Sequence, residues 1–433
     1  MIATIIISII TCLLLILSIL VFPKIKVFKK QINTYWIICL IGAIFILVFK
    51  CVPINNVIDA MFSKDAINPI KILLLFISMT FLSIFLDEVG FFKYLASKLI
   101  DKCKTNQFSL FILLYVMVGI LTIFTSNDIV ILTFTPFICY FAKNAKINPI
   151  PYLVGEFVAA NTYSMALIIG NPTNIYLATS ANIDFIEYFK VMAIPTLLAG
   201  IVQLALMLLI FKNKLSVKME SSHYEGKIKS KLDLAFGIGH LSVCLLLLII
   251  SSYLELPMWI ICVICAISLL ISIVCCHVIR HKKLKIIYKT IKRLPFELIP
   301  FMLSMFIIVL ALDYQEITNY ISLLLKEDNV VIKYGLTSFV SSNLINNIPM
   351  SVLFSNIPAM EDTILFNKAI YSIIIGSNIG AFLTPIGALA GIMFTDLVAR
   401  QNIKYSFISF VKYGLIISIP TILTALFTLE LFI

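Results

Sequence analysis

Charge is scarce in this sequence: Asp, Glu, Lys and Arg make up 13% of 433 residues, against 61% hydrophobic residues and a mean hydropathy of +1.07. A water-soluble domain of that composition would expose large apolar patches, so a soluble fold is excluded and an integral membrane protein is implied. Histidine occurs only at His223, His240, His277 and His281, in linkers and at helix ends, without the spacing of a metal centre. No Gly-x-x-x-x-Gly-Lys run is present, so the chain encodes no nucleotide-binding loop of that kind. The ten cysteines lie mostly inside apolar runs, with Cys262 and Cys265 one helical turn apart, and read as packing rather than as a disulfide framework. No nucleophile with a positioned base can be assembled from the polar residues within the apolar runs, which argues against an enzyme.

What the sequence has in abundance is apolar length. Windows of about 20 residues, enough to cross a hydrocarbon core of about 30 Å, predict ten spans. They fall near 2 to 22, 35 to 52, 69 to 86, 152 to 180, 187 to 211, 234 to 252, 257 to 277, 295 to 312, 366 to 395 and 406 to 431. The first lacks a basic leader and a small-residue cleavage site, so it reads as a true span rather than a signal peptide. Two further stretches, 107 to 143 and 329 to 358, are interrupted by amide clusters and read as re-entrant hairpins.

The net charge of +11 is distributed as topology, not as a nucleic-acid-binding face. The segments 23 to 34, 88 to 107, 143 to 151, 212 to 233, 278 to 294 and 396 to 412 collect 26 of the 33 Lys and Arg residues, which assigns them to the cytoplasm and both termini to the outside. Residues 91 to 104 read as an amphipathic segment along the cytoplasmic surface.

The polar interruptions recur. Ile168-Ile169-Gly170-Asn171-Pro172-Thr173-Asn174 breaks one apolar run, and Ile374-Ile375-Gly376-Ser377-Asn378 through Thr384-Pro385-Ile386-Gly387 breaks another. Each break follows an amide cluster, Thr125-Ser126-Asn127-Asp128 or Ser342-Asn343-Leu344-Ile345-Asn346-Asn347-Ile348-Pro349. The chain thus divides into a first repeat at 1–211 (hairpin 107–143, broken helix 152–180), a cytoplasmic linker at 212–233, and a second repeat at 234–433 (hairpin 329–358, broken helix 366–395). Each repeat holds five spans plus a hairpin that adds no net crossing. Five is odd, so the second repeat enters the membrane inverted, the arrangement that builds two alternating gates about one midplane site. The expected fold class is therefore all-α integral membrane, an inverted-topology repeat with broken helices at the midplane.

The residues at the breaks suit helix N-termini. Asn171 is placed to cap a half-helix starting at Pro172, Thr384 with Pro385 repeats the pattern, Ser126, Asn127 and Asp128 precede an arm beginning near Ile129, and Asn346 and Asn347 precede Pro349. Converging N-termini offer free N–H groups and partial positive charge to a small oxygen-rich solute or anion, with carbonyl and amide oxygens for a cation. The candidate binding residues are Ser126, Asn127, Asp128, Gly170, Asn171, Thr173, Asn174, Asn346, Asn347, Gly376, Ser377, Asn378 and Thr384. Asp128 is the candidate coupling group, because an ionised carboxylate at a hairpin tip costs several kcal/mol unless paired, protonated or bound to a cation. Asp87, Glu88 and Glu156 lie near span ends and read as solvated or structural, and Asp313 and Asp396 as interfacial.

At these residues the chain resembles the ion transporter superfamily that holds ArsB-type arsenite permeases, NhaD-type sodium/proton antiporters and divalent-anion/sodium symporters. The resemblance covers nearly the whole length and rests on Leu86-Asp87-Glu88-Val89-Gly90-Phe91-Phe92, Asn127-Asp128 with Leu132 to Pro136, Asn346-Asn347-Ile348-Pro349, and Ile375-Gly376 through Thr384-Pro385-Ile386-Gly387-Ala388-Leu389-Ala390. It implies a prokaryotic inner-membrane, elevator-like carrier, a homodimer, with its substrate at the hairpin tips and broken helices. In the arsenite branch that substrate is trivalent arsenite or antimonite, expelled in exchange for protons, and some members of the branch accept a separate ATPase subunit. The chain departs from the arsenite pattern at Asn161 and at Ser377-Asn378, where that branch carries an acidic residue and a Cys-Asp pair. The expected function is a secondary active transporter in the lipid bilayer, proton-coupled, exporting arsenite, antimonite or a similar small solute. The alternative is a Na⁺/H⁺ antiporter or sodium-coupled anion transporter, with Na⁺ at Ser126, Asn127 and Asn347. Neither needs a resident cofactor or metal beyond H⁺ or Na⁺, nor a nucleic-acid partner.

Overall fold

The computed structural model describes residues 1–22, 24–27, 30–62, 68–103, 106–219, 226–325, 329–356 and 362–433. Residues 220–225 of the expected linker, with His223, residues 357–358 of the second expected hairpin, 23 and 28–29 of the first basic segment and 104 of the amphipathic segment lie outside the described residues.

The first half runs α1 (Ile2–Val21), a ribbon of β1 (Lys24–Val27) and β2 (Lys30–Asn33), α2 (Tyr35–Val48), α3 (Ile54–Phe62), α4 (Pro69–Val89), α5 (Phe91–Cys103), α6 (Gln107–Phe124), α7 (Asn127–Asn144), α8 (Ile150–Tyr163), α9 (Pro172–Ser180) and α10 (Phe185–Leu215). The second half runs α11 (Lys231–Ile249), α12 (Ser251–Leu254), α13 (Met258–Ile279), α14 (Lys285–Lys292), α15 (Leu298–Tyr314), α16 (Ile317–Leu325), α17 (Val330–Ile345), α18 (Asn347–Phe354), α19 (Thr363–Gly380), α20 (Leu389–Arg400) and α21 (Phe407–Phe432). The fold is that of a helical integral membrane protein: α4, α6, α10, α11, α13 and α21 are long and apolar enough to cross a bilayer, with shorter apolar helices beside them. One departure from an all-helical chain is the antiparallel ribbon, which pairs Lys24 with Asn33 inside the basic segment.

Local sequence explains where the helices start and stop. Asn68 accepts hydrogen bonds from the N–H groups of Ile70 (3.0 Å) and Lys71 (3.1 Å), with Pro69 in the first turn, and Gly90 ends α4 in the left-handed region at φ 96°. Elements of both sequence halves interleave in packing. One group brings α2 against α15 and α4 against α11 and α13; the other brings α6 against α8, α10 against α21, α17 against α19 and α7 against α20. The groups meet where α4 touches α7 and α9 and where α15 touches α18.

The α17–α19 contact shows how such helices associate without a hydrophobic driving force between them. Gly376 and Gly380, one turn apart on α19, lie against Gly335, Ser338 and Ser342 on α17, so close that a Cβ at Gly376 would overlap the Ser338 hydroxyl and the Gly335 carbonyl. Because a backbone carbonyl cannot move aside, Gly376→Ala is expected to cost about 1–3 kcal/mol and to lower the thermal unfolding temperature of the purified protein. Gly239→Ala, whose added methyl meets nothing within 4 Å, is the control and should leave that temperature unchanged. Equal melting of the two variants would contradict the close approach.

Candidate functional site

The first break forms because α8 ends at Tyr163 and the chain passes through two single helical turns, 164–166 and 168–170, before Asn171 restarts it. Asn171 is extended and its side-chain oxygen accepts from the Thr173 N–H at 3.2 Å, so the expected cap ahead of Pro172 is what the structure holds. Gly170 packs so tightly on the Ser164 carbonyl that a Cβ would overlap it.

The second break does not repeat that pattern. Thr384 was expected to cap a half-helix; instead α20 begins at Leu389 with Ala388 before it. The reason is a competing partner from α17: Asn343 Oδ1 accepts both the Thr384 N–H (3.1 Å) and its hydroxyl (2.8 Å). Asn346 Nδ2 then donates to the Ile386 carbonyl (2.8 Å) and the Asn347 N–H to the Gly387 carbonyl (3.0 Å), so the turn at 384–387 is held against the hairpin tip. Asn346, at φ 71°, caps α18 by accepting from the Ile348 N–H (3.3 Å).

Between the breaks lies a buried amide clasp. Asn378 Oδ1 accepts from Ser164 Oγ (2.9 Å) and Asn171 Nδ2 (2.9 Å), while Asn378 Nδ2 donates to Asn174 Oδ1 (2.7 Å). Asn174 Nδ2 in turn donates to the Ser164 carbonyl (2.8 Å). Asn171, Asn174 and Asn378 are thus committed to one another, and Thr173 Oγ1 reaches Asn174 Oδ1 at 3.5 Å. The first hairpin tip joins this level through Asn127 Nδ2, which donates to Asn161 Oδ1 (3.1 Å) near the end of α8.

Ser126 and Asp128 stand apart from that clasp because they line a cavity of about 710 Å³. Its other walls come from Phe76, Thr80 and Ile84 on α4, Arg293 to Leu298 ahead of and at the start of α15, and Leu389 to Asp396 on α20. Ser126 and Thr80 are each 4% exposed, whereas the side chains of Lys24 and Asp396 are 26% and 39% exposed, which distinguishes floor from mouth. The hydroxyls of Ser126 and Thr80 have no hydrogen-bond partner among the described residues. Ser126 precedes α7 as its cap by position, yet makes no side-chain cap bond, so its enclosed oxygen is unpartnered among the described residues at the cavity wall.

The cations at this cavity are already engaged. Lys24 Nζ lies 2.8 Å from Asp396 Oδ2, which also holds Arg400 at 2.7 Å, and Arg293 Nη1 lies 2.7 Å from both Asp87 and Glu88. Burial alone would lower the Arg293 guanidinium, but Asp87 and Glu88 raise it above its ordinary value, so it stays charged. Glu297 accepts from Asn33 Nδ2 (2.5 Å) and from the Tyr35 hydroxyl (3.4 Å). Carboxylates therefore outnumber cations on the wall, an electrostatic setting that suits a neutral solute or a cation better than a polyanion.

Of the thirteen candidate residues, the structure brings Ser126 and Asp128 to the cavity, ties Asn127 to Asn161, gathers Asn171, Thr173, Asn174 and Asn378 in the clasp, and sets Asn346, Asn347 and Thr384 at the second tip and turn. Gly170 and Gly376 serve close packing, and the buried Ser377 hydroxyl has no partner among the described residues. Sequence reasoning missed Thr80, Glu297 and Tyr35, which no polar cluster flags; Asp396, expected to be interfacial, lies at the cavity mouth with its side chain 39% exposed. Glu156, expected to be solvated or structural, is wholly buried, because α7 and α8 pack face to face over it.

The two classes of polar residue separate experimentally. Asn378→Ala strips partners from Ser164, Asn171 and Asn174 at once and is expected to cost several kcal/mol, at about 1–3 kcal/mol per buried group left unpaired, read as a lowered melting temperature or loss of folded protein. Ser126→Ala removes a hydroxyl without a partner and should melt like the wild type; a large drop for Ser126→Ala would contradict the geometry above.

Comparison with known proteins agrees with this architecture. A family model described as "Citrate transporter" matches residues 27–361. The arsenical pump membrane protein of Escherichia coli strain K12 is 27% identical over 378 residues, spanning 82% of this chain and 85% of that protein, and its counterpart in Yersinia enterocolitica is 25% identical over 370 residues at the same coverage. Among solved structures the YdaH transporter of Alcanivorax borkumensis, described as having an unusual topology, superposes with a TM-score of 0.56 over 99% of this chain and 97% of its own, at 13% identity, a likeness of fold. With more than half its length matched, the chain belongs to the citrate transporter family and is a multi-pass membrane transporter, similar in sequence to the arsenical pumps and consistent with the wider ion transporter superfamily.

Proposed function

We propose that this transporter exports trivalent arsenite, or antimonite, as the neutral hydroxide, in exchange for protons carried by Asp128. The observation that carries this reading is the composition of the cavity floor: Ser126 and Thr80, whose hydroxyls are unpartnered among the described residues, line the same cavity as Asp128, with the wall cations Lys24 and Arg293 already paired. Arsenous acid is uncharged at neutral pH and presents three hydroxyls, each able to donate to a carboxylate and accept from a serine or threonine. It needs no free cation. The N-terminus of α7, which starts at Asn127, adds partial positive charge that favours the oxygen side of such a solute.

In this reading the basic side that carries Lys24, Arg293 and Arg400 is cytoplasmic, the cavity is the inward-facing state, and the two repeats are inverted so that the site alternates between the two faces. Protonation of Asp128 would weaken its hold on the solute and return the empty carrier, which makes the proton the driving ion.

A second reading, sodium-coupled transport of a carboxylate anion, is favoured by the description of the matching family and by the half-helix N-termini at α7, α9, α18 and α20. The paired state of Lys24 and Arg293 weighs against it.

Everted membrane vesicles containing the protein are expected to accumulate arsenite when their interior is made acidic, independently of sodium, and Asp128→Asn vesicles should match vesicles lacking the protein. Ser126→Ala should raise the half-saturating arsenite concentration roughly 3- to 10-fold, the loss of one hydrogen bond worth about 1 kcal/mol. Sodium-dependent citrate uptake without arsenite accumulation would replace this reading with the second one.

A further inference from the structure

Glu156, on α8, is 0% exposed, and both its carboxyl oxygens lie 3.0 Å from one partner, the hydroxyl of Thr135 on α7, itself 0% exposed. No ion pair to Glu156 exists among the described residues. An ionised carboxylate so enclosed costs several kcal/mol, and the neutral donors of one residue, Thr135, offset little of that. A neutral acid loses nothing there: its O–H can donate to Thr135 Oγ1, or its C=O can accept from it.

The elements packed most extensively against α8 are α6, α7, α10 and α19, with α20 and α21 touching it through Phe157. Their titratable groups nearest in kind are Cys139 on α7, one turn beyond Thr135, Tyr115 on α6, whose hydroxyl donates to the Gly200 carbonyl (2.8 Å), Tyr188 on α10, which donates to the Met165 carbonyl (3.0 Å), and Tyr371 on α19. The lysines of those elements do not neutralise it: Lys143, Lys190 and Lys212 are exposed, Lys214 reaches Tyr413 and Lys368 pairs with Glu430.

Three features connect this acid to the transport site. Thr135 stands seven residues beyond Asp128 on α7, two turns or about 10 Å along the same face. Pro136, next to Thr135, removes a hydrogen bond from the interior of α7, and its neighbours Leu132 and Thr133 line cavities, Thr133 a second one of about 430 Å³ beside Asp87, Glu88 and Arg293. Phe157, the residue after Glu156, packs on Phe394 of α20 (ring centroids 4.6 Å apart) and on Phe410 of α21 (5.4 Å), and α20 forms a wall of the substrate cavity. Water thus reaches α7 beside Asp128 and Thr133, while Glu156 stays enclosed against Thr135, two turns further along the face that Asp128 occupies.

We propose that Glu156 is a second proton site of this carrier, protonated in the present conformation and releasing its proton to water when α7 and α8 move apart, so that each cycle moves one proton more than Asp128 alone would carry. The proposal rests on the transport reading above for its role, but the occupancy of Glu156 by a proton does not depend on which solute is carried. The test has two arms. Infrared difference spectra of the protein in lipid at neutral pH are expected to contain the C=O stretch of a protonated carboxylic acid that Glu156→Gln removes and Asp128→Asn retains. Its absence, or its survival in Glu156→Gln, overturns the proposal whatever the solute proves to be. If Glu156→Gln fails to fold, Thr135→Val carries this arm: loss of the hydroxyl, its one side-chain hydrogen-bond partner among the described residues, should shift the band, and a band indifferent to it overturns the assignment. In the second arm, proteoliposomes with an entrapped pH dye count protons exchanged per arsenite, expected to halve from two to one in Glu156→Gln; an unchanged count overturns the coupling role.

Discussion

The buried clasp of Asn171, Asn174, Ser164 and Asn378 is the constraint on which the rest depends. Inside a bilayer no water is available to a broken helix, so every exposed backbone or side-chain polar group at a break must find a protein partner. Here the breaks of the two sequence halves satisfy one another: Asn378 receives from Ser164 and Asn171 and gives to Asn174, and Asn174 closes the circuit onto the Ser164 carbonyl. Neither break would be tolerable alone. Joining them binds the halves into one unit and fixes where the helices can stop.

That commitment explains which residues are left over for chemistry. The amides most conspicuous in the sequence are consumed in holding the breaks together, and those of the second hairpin are consumed in holding the turn at 384–387. Of the cavity-lining polar residues, Ser126 at the first hairpin tip and Thr80 on α4 have hydroxyls without partners among the described residues, and Asp128 meets the same cavity. The ion pairs at the mouth then set the character of the space, since Lys24 and Arg293 offer no spare positive charge to an incoming anion.

The apolar helices and the polar interruptions between them were legible because each depends on local composition: apolar length, and Asn, Pro and Gly where a membrane helix cannot continue. The Asn171 cap ahead of Pro172 was legible for the same reason. Thr384-Pro385 has the same local grammar and a different outcome, because Asn343 on another helix captures Thr384 first, and no window of sequence contains that competition. For Glu156 the expectation of a solvated or structural role left the alternatives open, and only α7 lying over it shows that the carboxyl is enclosed. The scaffold side of the cavity, Thr80 with Tyr35 and Glu297, carries no signal at all, since each is a lone polar residue whose neighbours in space are far away in the chain.

The central claim is that the floor at Ser126, Thr80 and Asp128 recognises a neutral, hydroxyl-bearing solute. Titration calorimetry of the purified protein in lipid nanodiscs, comparing arsenite with citrate in the presence and absence of sodium, tests it most directly. The account predicts saturable, sodium-independent heat with arsenite and none with citrate. Sodium-dependent citrate binding with no response to arsenite would contradict it.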